Sequence, residues 1–398
     1  MARVLYAWEL GGNSGHLIGF APIAAQLEQR GHKILYVVRD LRAAVQHFGP
    51  GQALLAQAPH APHMARTNVQ PASYAEMLAM LGYADATTLA GMVHGWLDLI
   101  RLFRPKVLVA DYAPTAGLAA RIAHMPCVRL DLGFMRPPRR EPMPSMLPWQ
   151  DIPTERLARS EAKVLRRVNA VMRTFGAPPL ETLADMLDAQ EQFLLTFPEL
   201  DHYENRGDER YDGPFYADDL GEAREWPKGD RPKVLAYLRP GPGLETALEA
   251  IASTGAAAHC FVPGASSQLV ARLAPCGINL SATPLKLKEL LPGANATVSY
   301  GSHGYIAAAL TAGVPCVVLP TDVEKAVLAR RIVQLGAGAA VNVKRADKDL
   351  QCTLETVLGS SHHCSGARVF AQRYIGHRPA QLSGRMAAAI EGSITAHA

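Results

Sequence analysis

The sequence predicts an α/β protein built from two Rossmann-like domains. Its 398 residues are enough for two domains of ordinary size. In both halves, short apolar runs alternate with segments of helical periodicity, and this alternation predicts parallel sheets covered by helices. A polar stretch rich in Asp, Glu, Gly and Pro separates the halves at residues 201–231, which is typical of a boundary between domains.

The first half contains two βαβ units, whose crossovers we expect to be right-handed. Apolar runs predict its strands over residues 3–8, 33–39, 106–111, 127–131 and 192–197. Helical spacing predicts helices over 16–30, 72–103 (as one helix or two), 115–124, 154–175 and 180–190. The proline-rich stretch 136–153 predicts a loop, and long loops of this kind are usually functional.

The second half repeats the pattern after Pro232. Strands are predicted over 233–238, 259–262, 278–282, 296–299 and 315–319. Helices are predicted over 244–254, 266–274, 285–291 and 324–335, with one more that ends at residue 312. Together the patterns predict an N-terminal domain over 1–210, a linker over 211–232, a C-terminal domain over 233–376 and a final helical segment over 377–398.

Composition and charge argue against several classes of protein. The formal net charge is only +4 and the basic residues are scattered, which argues against a nucleic-acid-binding surface. The six cysteines lack CxxC spacing, so they indicate buried thiols in a reducing compartment rather than disulfides or metal ligands. A chain that opens on a strand and has no long apolar run predicts a cytoplasmic protein with at most peripheral membrane contact. The densest basic spot, Arg136, Arg139 and Arg140, is either a solvated loop or a contact for an anionic acceptor or a membrane surface.

A glycine loop joins the first strand to the first helix. Its sequence GGNSGH, residues 11–16, lacks the GxGxxG spacing of a dinucleotide site, which disfavours a dehydrogenase. His16 begins the helix, where the helix dipole favours a neutral imidazole that can accept a proton. Asp111 ends another strand of the same sheet, so its carboxylate could orient that imidazole as in a catalytic triad. The alternatives are a structural histidine and an aspartate that caps the next helix.

A second loop, residues 300–305, joins a strand to a helix in the C-terminal half. Its small residues allow an anion to approach closely, and free amides together with the helix dipole can hold a diphosphate without a metal. The loop 239–243 follows the first strand of the same sheet, and Arg239 could pair with phosphate there. The alternative is a surface turn with a solvated arginine.

Two long segments resemble the UDP-glucuronosyl and UDP-glucosyltransferase family. GGNSGHLIGFAPIAAQLEQRGHKILYVV is similar to the opening of that family, and ATVSYGSHGYIAAALTAGVPCVVLPTDVEKAVLARRIVQLGAGAAV is similar to its donor-binding signature. The intervening LLTFPELDHYE and the order of elements resemble bacterial members, so the resemblance covers nearly the whole chain. It implies the GT-B fold, in which two Rossmann-like domains face each other across a cleft, with the donor on the C-terminal half and the acceptor on the N-terminal half. It also implies that the final helix, predicted over 380–395, packs back on the N-terminal domain.

The resemblance further implies a metal-independent, inverting transfer of a hexose. His16 would take the proton from an acceptor hydroxyl, Asp111 would hold His16, and backbone amides would stabilise the leaving diphosphate. No cofactor is implied beyond a nucleoside diphosphate sugar, a UDP- or dTDP-sugar, as co-substrate. The predicted donor contacts are Arg239, Gly241, Tyr300, Gly301, Ser302, His303, Gly304, Glu324 and Lys325. The predicted acceptor contacts are Gly12, Gly15 and Phe134, and the Met-rich helices and proline loop of the first half predict a small or lipid-like acceptor.

The donor signature of this chain differs from the family pattern. Tyr300 stands where the family has a histidine that faces the diphosphate, and Ala308 stands where it has a ribose-binding glutamate. Glu324 and Lys325 replace an Asp-Gln pair that grips the sugar; they could bind sugar hydroxyls and phosphate, or they could be first-turn residues of an exposed helix. His303 could replace the lost diphosphate contact. The sequence leaves two other functions open: an auxiliary or binding protein with this fold and, less favoured, a sugar-nucleotide epimerase.

Overall fold

The computed structural model describes residues 1–11, 15–62, 70–241, 243–342 and 346–396. The chain forms two compact units. Unit 1 comprises Met1–Thr196, Tyr203–Phe215 and Arg378–Ala398, and unit 2 comprises Phe197–His202 and Tyr216–His377. No helix of the described ranges is long and apolar enough to cross a membrane.

Unit 1 is built on a six-stranded parallel sheet. Its strands are β1 (Arg3–Trp8), β2 (Lys33–Val38), β3 (Leu54–Gln57), β4 (Val107–Asp111), β5 (Cys127–Asp131) and β6 (Glu191–Leu194), in the order β3-β2-β1-β4-β5-β6. Every residue of β4 and β5 is buried, as expected for central strands covered on both faces. The strand order reverses between β1 and β4, so the crevice that binds ligands in such sheets lies at their carboxyl ends.

The helices of unit 1 before β6 are α1 (Gly15–Gln29), α2 (Leu41–Phe48), α3 (Tyr74–Leu78), α4 (Ala86–Phe103), α5 (Pro114–Ile122) and α6 (Thr154–Thr174). A π-helical turn, Ala79–Tyr83, follows α3. Side-chain caps begin several of these helices: Asp40 accepts a hydrogen bond from the amide of Ala43, and Asp85 accepts one from the amide of Thr88. Apolar side chains on the inner faces of α4 and α6 are buried, so these helices are held by packing as well as by their caps.

Unit 2 repeats the same topology. Its strands are β7 (Lys233–Tyr237), β8 (Ala257–Phe261), β9 (Ile278–Ser281), β10 (Ala296–Ser299), β11 (Cys316–Val318) and β12 (Gly338–Ala340), in the order β12-β11-β10-β7-β8-β9. Its helices are α7 (Leu244–Ser253), α8 (Ser267–Leu273), α9 (Leu287–Leu290), α10 (His303–Thr311), α11 (Val323–Gln334), α12 (Ala346–Gly359) and α13 (Ser361–Arg373). The order reverses between β7 and β10, which places the crevice of this unit at the start of α10.

The last helix of the chain, α14 (Pro379–Thr395), belongs to unit 1 and packs against α1. Its inner face is buried and carries Leu382, Met386 and Ile390. Gln26 of α1 donates to the hydroxyl of Ser383 over 3.0 Å, and Glu391 lies 3.0 Å from Nε2 of His32. Unit 1 is therefore completed by residues from the far end of the chain.

The α/β class and the two Rossmann-like sheets are confirmed, and several element bounds differ from those predicted. Residues 180–190 form only a short 3-10 helix, Leu183–Leu187, in which the Asp185 carboxylate accepts a hydrogen bond from the amide of Thr182 over 2.7 Å. The stretch 211–232, expected to be a linker, is divided between the units at Phe215 and Tyr216. Its second part is anchored in unit 2, where Trp226 donates to the carbonyl of Leu290 over 2.9 Å.

Candidate active site

A histidine and an aspartate meet at the carboxyl ends of β1 and β4. These strands pair in register with Trp8 opposite Asp111, so the residues that follow both strands lie at one edge of the sheet. His16 is the second residue of α1, and its Nδ1 lies 2.8 Å from Oδ1 of Asp111. The other carboxylate oxygen accepts a hydrogen bond of 2.8 Å from the buried hydroxyl of Tyr6. The carboxylate is therefore fixed at both oxygens, and it fixes the imidazole in turn.

Aromatic rings hold the imidazole from two sides. The Trp8 ring stacks on His16 with centroids 5.2 Å apart, and the Tyr112 ring lies 4.8 Å away at a tilt. The second ring nitrogen, Nε2, faces Gly11, where an added Cβ would lie 4.0 Å from it. An ionised Asp111 accepts the proton of Nδ1 and leaves the lone pair on Nε2, so the pair has the arrangement of a general base and its orienting carboxylate.

The predicted acceptor contacts are placed only in part. Gly15 is the exposed first residue of α1, and Gly12 lies outside the described residues. Phe134 is buried, and its carbonyl accepts a hydrogen bond of 3.1 Å from the hydroxyl of Tyr203. Phe134 therefore opens a loop that is tied down within unit 1.

The proline-rich loop 136–153 is held by polar contacts that the sequence pattern does not reveal. Arg206 is buried and donates to the carbonyl of Arg136 over 2.6 Å. Arg136 pairs with Glu209 over 3.1 Å. Arg139 pairs with Asp185 and Asp188, and Arg140 donates to the carbonyl of Asn205. The three loop arginines thus have partners inside unit 1.

In unit 2, a glycine turn leads from β10 into α10. Gly301 has a φ of +89°, and a Cβ there would lie 3.0 Å from Cγ1 of Val318 and 3.2 Å from Cβ of Lys325. Ser302 caps α10 without a side-chain hydrogen bond, and its side chain is exposed. The start of α10 therefore presents backbone amides without a side-chain cap, a geometry that favours anions.

His303 is the first residue of α10, but its side chain is buried in the interior of unit 2. It is only 5 % exposed, and burial lowers its pKa to about 4, although the carboxylate of Asp201 opposes the shift. The ring of His202 lies beside it, with centroids 6.1 Å apart. A ring that is neutral at pH 7 can offer a phosphate a hydrogen bond but not a positive charge.

Arg239 and Tyr300 come together at the ends of β7 and β10. The guanidinium carbon of Arg239 lies 5.8 Å from the centroid of the Tyr300 ring, a cation–π contact. Tyr300 is 7 % exposed, so its ring is a wall rather than a projecting ligand. Gly241 adopts a φ of +150° in the same loop. The structure therefore brings a permanent positive charge to the crevice of this unit.

The first turn of α11 carries Glu324 and Lys325, both partly buried. Lys325 forms an ion pair with Asp322, and its Nζ lies 3.3 Å from the hydroxyl of Thr321. Asp322 also caps α11 by accepting from the amide of Lys325 over 3.1 Å. Asp322 is not among the donor contacts predicted from the sequence, although an aspartate directly before a predicted helix is a recognisable cap signal.

Two parallel six-stranded units, each with a ligand crevice at its topological switch point, define the class of fold. The chain has the GT-B fold, and it matches solved structures of glycosyltransferases with that fold. Spinosyn rhamnosyltransferase SpnG has a TM-score of 0.67 at 19% identity over 97% of this chain and 99% of that one. The same enzyme complexed with thymidine diphosphate matches with a TM-score of 0.66 at 18% identity over 97% and 100% of the two chains.

Sequence comparisons give one matching family model and two similar relatives. Residues 250–387 match the family described as erythromycin biosynthesis protein CIII-like, C-terminal domain. Zeaxanthin glucosyltransferase of Pseudescherichia vulneris is 23% identical in an alignment of 379 positions, gaps included, that covers 86% of this chain and 87% of the relative. The 4'-demethylrebeccamycin synthase of Lentzea aerocolonigenes is 24% identical in an alignment of 401 positions, gaps included, that covers 90% of this chain and 92% of the relative. The chain is thus similar to glycosyltransferases over most of its length.

Proposed function

We propose that this protein is an inverting glycosyltransferase that moves a sugar from a nucleoside diphosphate sugar to a hydroxyl group of a small or lipid-like acceptor. The observation that carries the proposal is the His16–Asp111 pair, with 2.8 Å between Nδ1 and Oδ1. Such a pair has a clear use when an alcohol must be made nucleophilic. It has no evident use in a protein that only binds a partner.

In the proposed reaction, Nε2 of His16 takes the proton of the acceptor hydroxyl. The oxygen attacks the anomeric carbon from the face opposite the nucleotide, the new C–O bond forms, and the bond to the diphosphate breaks. The bonding electrons leave with the diphosphate. Asp111 stabilises the imidazolium that forms on His16, and Tyr6 holds Asp111 through its second oxygen.

The donor is proposed to bind in unit 2, at the start of α10. The backbone of Gly301, Ser302 and Gly304 would face the diphosphate, and Arg239 would neutralise part of its charge without a metal. Tyr300 and Gly241 would shape the wall, and the neutral His303 would add a hydrogen bond. Spinosyn rhamnosyltransferase SpnG, a solved structural neighbour, is complexed with thymidine diphosphate, which supports a dTDP- or UDP-sugar as the donor.

Glu324 and Lys325 are proposed to face the sugar. They occupy the first turn of α11, and Lys325 lies against the Gly301 turn, since a Cβ on Gly301 would come within 3.2 Å of Cβ of Lys325. The carboxylate of Glu324 would accept hydrogen bonds from sugar hydroxyls. The ion pair of Lys325 with Asp322 would place a second carboxylate next to the same turn.

The acceptor is proposed to be an apolar molecule with a free hydroxyl, bound in unit 1 near Gly12, Gly15 and Phe134. The names of the two relatives, zeaxanthin glucosyltransferase and 4'-demethylrebeccamycin synthase, support this class of acceptor.

The test has a binding step and a turnover step. Calorimetry with UDP, dTDP, GDP and their sugar conjugates first identifies the nucleotide; we expect one of the first two to bind selectively and Arg239→Ala to weaken it. Transfer from the selected donor to a panel of hydroxylated polyenes and aromatic aglycones, zeaxanthin among them, is then followed by mass spectrometry.

His16→Ala should reduce turnover by roughly 100- to 10,000-fold, the usual contribution of a general base. His94→Ala is the matched control, since His94 is an exposed histidine on α4 of the same unit. Absence of nucleotide binding in a folded sample, or full turnover by His16→Ala, would contradict the proposal, and the former result would favour an auxiliary binding protein.

A further inference from the structure

We propose that Glu9 is a positioning residue whose carboxylate caps α5 and thereby holds the turn between Asp111 and that helix. This inference rests on the proposed function, because it concerns the partner of the general base. Glu9 follows β1 directly and is 3 % exposed. It follows β1, the strand next to β4, and so lies outside the segment that it caps.

The contacts of Glu9 are directed at the first turn of α5. Oε1 accepts from the amide of Thr115 over 2.6 Å, and Oε2 accepts from the amide of Ala116 over 3.2 Å. The residue at the cap position of α5 is Ala113, whose side chain cannot accept a hydrogen bond. Glu9 therefore supplies, from another strand, the cap that the local sequence lacks.

The turn that Glu9 holds carries two of the residues that contact the proposed base. Asp111 ends β4 and binds Nδ1 of His16, and Tyr112 packs its ring on the same imidazole. Tyr112 has a φ of +47°, a left-handed conformation that costs roughly 1–2 kcal/mol for a residue other than glycine. Its carbonyl accepts from the amide of Leu10 over 3.1 Å. The residues after β1 thus hold this strained turn at two points, through Glu9 and Leu10.

The charge of Glu9 is not explained by stability. Burial raises the pKa of Glu9 to about 7, even though both amides favour the ionised form. The carboxylate faces Thr115 of α5 and lies near Tyr74 of α3, Tyr83 of the π-helical turn and Trp96 of α4, which are uncharged. Arg39 donates to the backbone carbonyl of Glu9 over 3.5 Å. An uncharged side chain would be easier to bury there, so a role in shaping the site accounts for the carboxylate better.

The test compares Glu9→Gln with Asp85→Asn. Glutamine keeps the shape but can accept only one of the two amides, and its NH₂ group opposes the other. Asp85 is the matched control, because it is a carboxylate that caps α4 in the same unit and has no part in the site. Glu9→Asp, with a shorter reach and the same charge, is a second variant in case Glu9→Gln does not fold.

The first readout needs no substrate. The proton NMR resonance of His16 is identified as the one missing from His16→Ala, and the shift caused by losing its partner is calibrated with Asp111→Asn at pH 8. We expect the resonance in Glu9→Gln, or in Glu9→Asp, to move towards its position in Asp111→Asn. In Asp85→Asn it should stay where it is in the wild-type protein. An unmoved resonance in a folded Glu9 variant would overturn the inference.

The second readout is turnover with the donor and acceptor found above. We expect kcat of Glu9→Gln to fall about 10- to 100-fold, the scale of a small misplacement at a reacting centre. KM for the donor should be unchanged, since the proposed donor contacts lie in unit 2. A wild-type protein without transfer activity would count against the proposed function alone, because the resonance still decides the role of Glu9.

Discussion

The raised pKa of Glu9 predicts a specific dependence of stability on pH. Its pKa rises from an ordinary 4.5 to about 7 in the folded chain. Between these values the folded state keeps a proton that the unfolded chain has lost, so stability falls as pH rises through about 7. The shift of about 2.5 units corresponds to roughly 3 kcal/mol at 1.4 kcal/mol per unit. Most of this, roughly 2 to 3 kcal/mol, should be lost between pH 5 and pH 8.

Glu9→Gln removes this titration, and urea unfolding at the two pH values measures the result. A Trp226→Phe background makes the fluorescence specific for unit 1, because the other three of the four tryptophans lie there. The fall in unfolding free energy from pH 5 to pH 8 should be smaller in Glu9→Gln by the amount given above. Burial also raises the pKa of Glu161 to about 7, but Glu161 is present in both proteins, so its contribution cancels in the comparison. An equal pH dependence in both proteins would show that Glu9 ionises normally and would refute the reasoning.

Three further predictions concern other parts of the chain. Asp131→Asn should destabilise unit 1 by about 3–5 kcal/mol in urea unfolding, because it leaves the guanidinium of Arg129 buried beside a neutral partner; a loss below 1 kcal/mol would contradict this. Gly301→Ala should weaken nucleotide binding at least 10-fold in calorimetry, because φ is +89° and the new Cβ would crowd Val318; Gly255→Ala, also at positive φ but with open space around it, is the control, and equal effects would refute the argument. Glu391→Gln should change stability by less than about 1 kcal/mol, since its pairs on α14 are partly exposed; a larger loss would show that these ion pairs, and not the apolar face, hold the helix.

The sequence predicts elements well where an apolar run is bounded by turn residues. The strands Arg3–Trp8, Cys127–Asp131 and Ala296–Ser299 have the predicted bounds. By contrast, β12 is Gly338–Ala340, three small residues without β-branched side chains. This strand forms because the neighbouring strand β11 pairs with it. A local sequence pattern cannot predict such a strand.

The candidate site, like the fold, could be predicted from the sequence only in part. The proximity of His16 and Asp111 can be predicted, because parallel strands place their carboxyl ends at one edge. The roles of Tyr6 and Glu9 cannot. Tyr6 lies in an apolar run, where a tyrosine is typical of a core, and the partners of Glu9 are 106 and 107 residues away along the chain. Contacts over such separations depend on strand order, which the local sequence does not specify.

The assignment of α14 to unit 1 has a consequence for synthesis of the chain. Unit 1 begins at Met1 but is completed by Arg378–Ala398, after the whole of unit 2 has been translated. Chains grow at roughly 5–20 residues per second, so the emerging N-terminal residues wait many seconds for their last helix. During that time the surface of α1 that later covers Leu382, Met386 and Ile390 is open to water and to chaperones. Unit 2, by contrast, has all its residues before the ribosome finishes, so the C-terminal half of the sequence can complete its folding first.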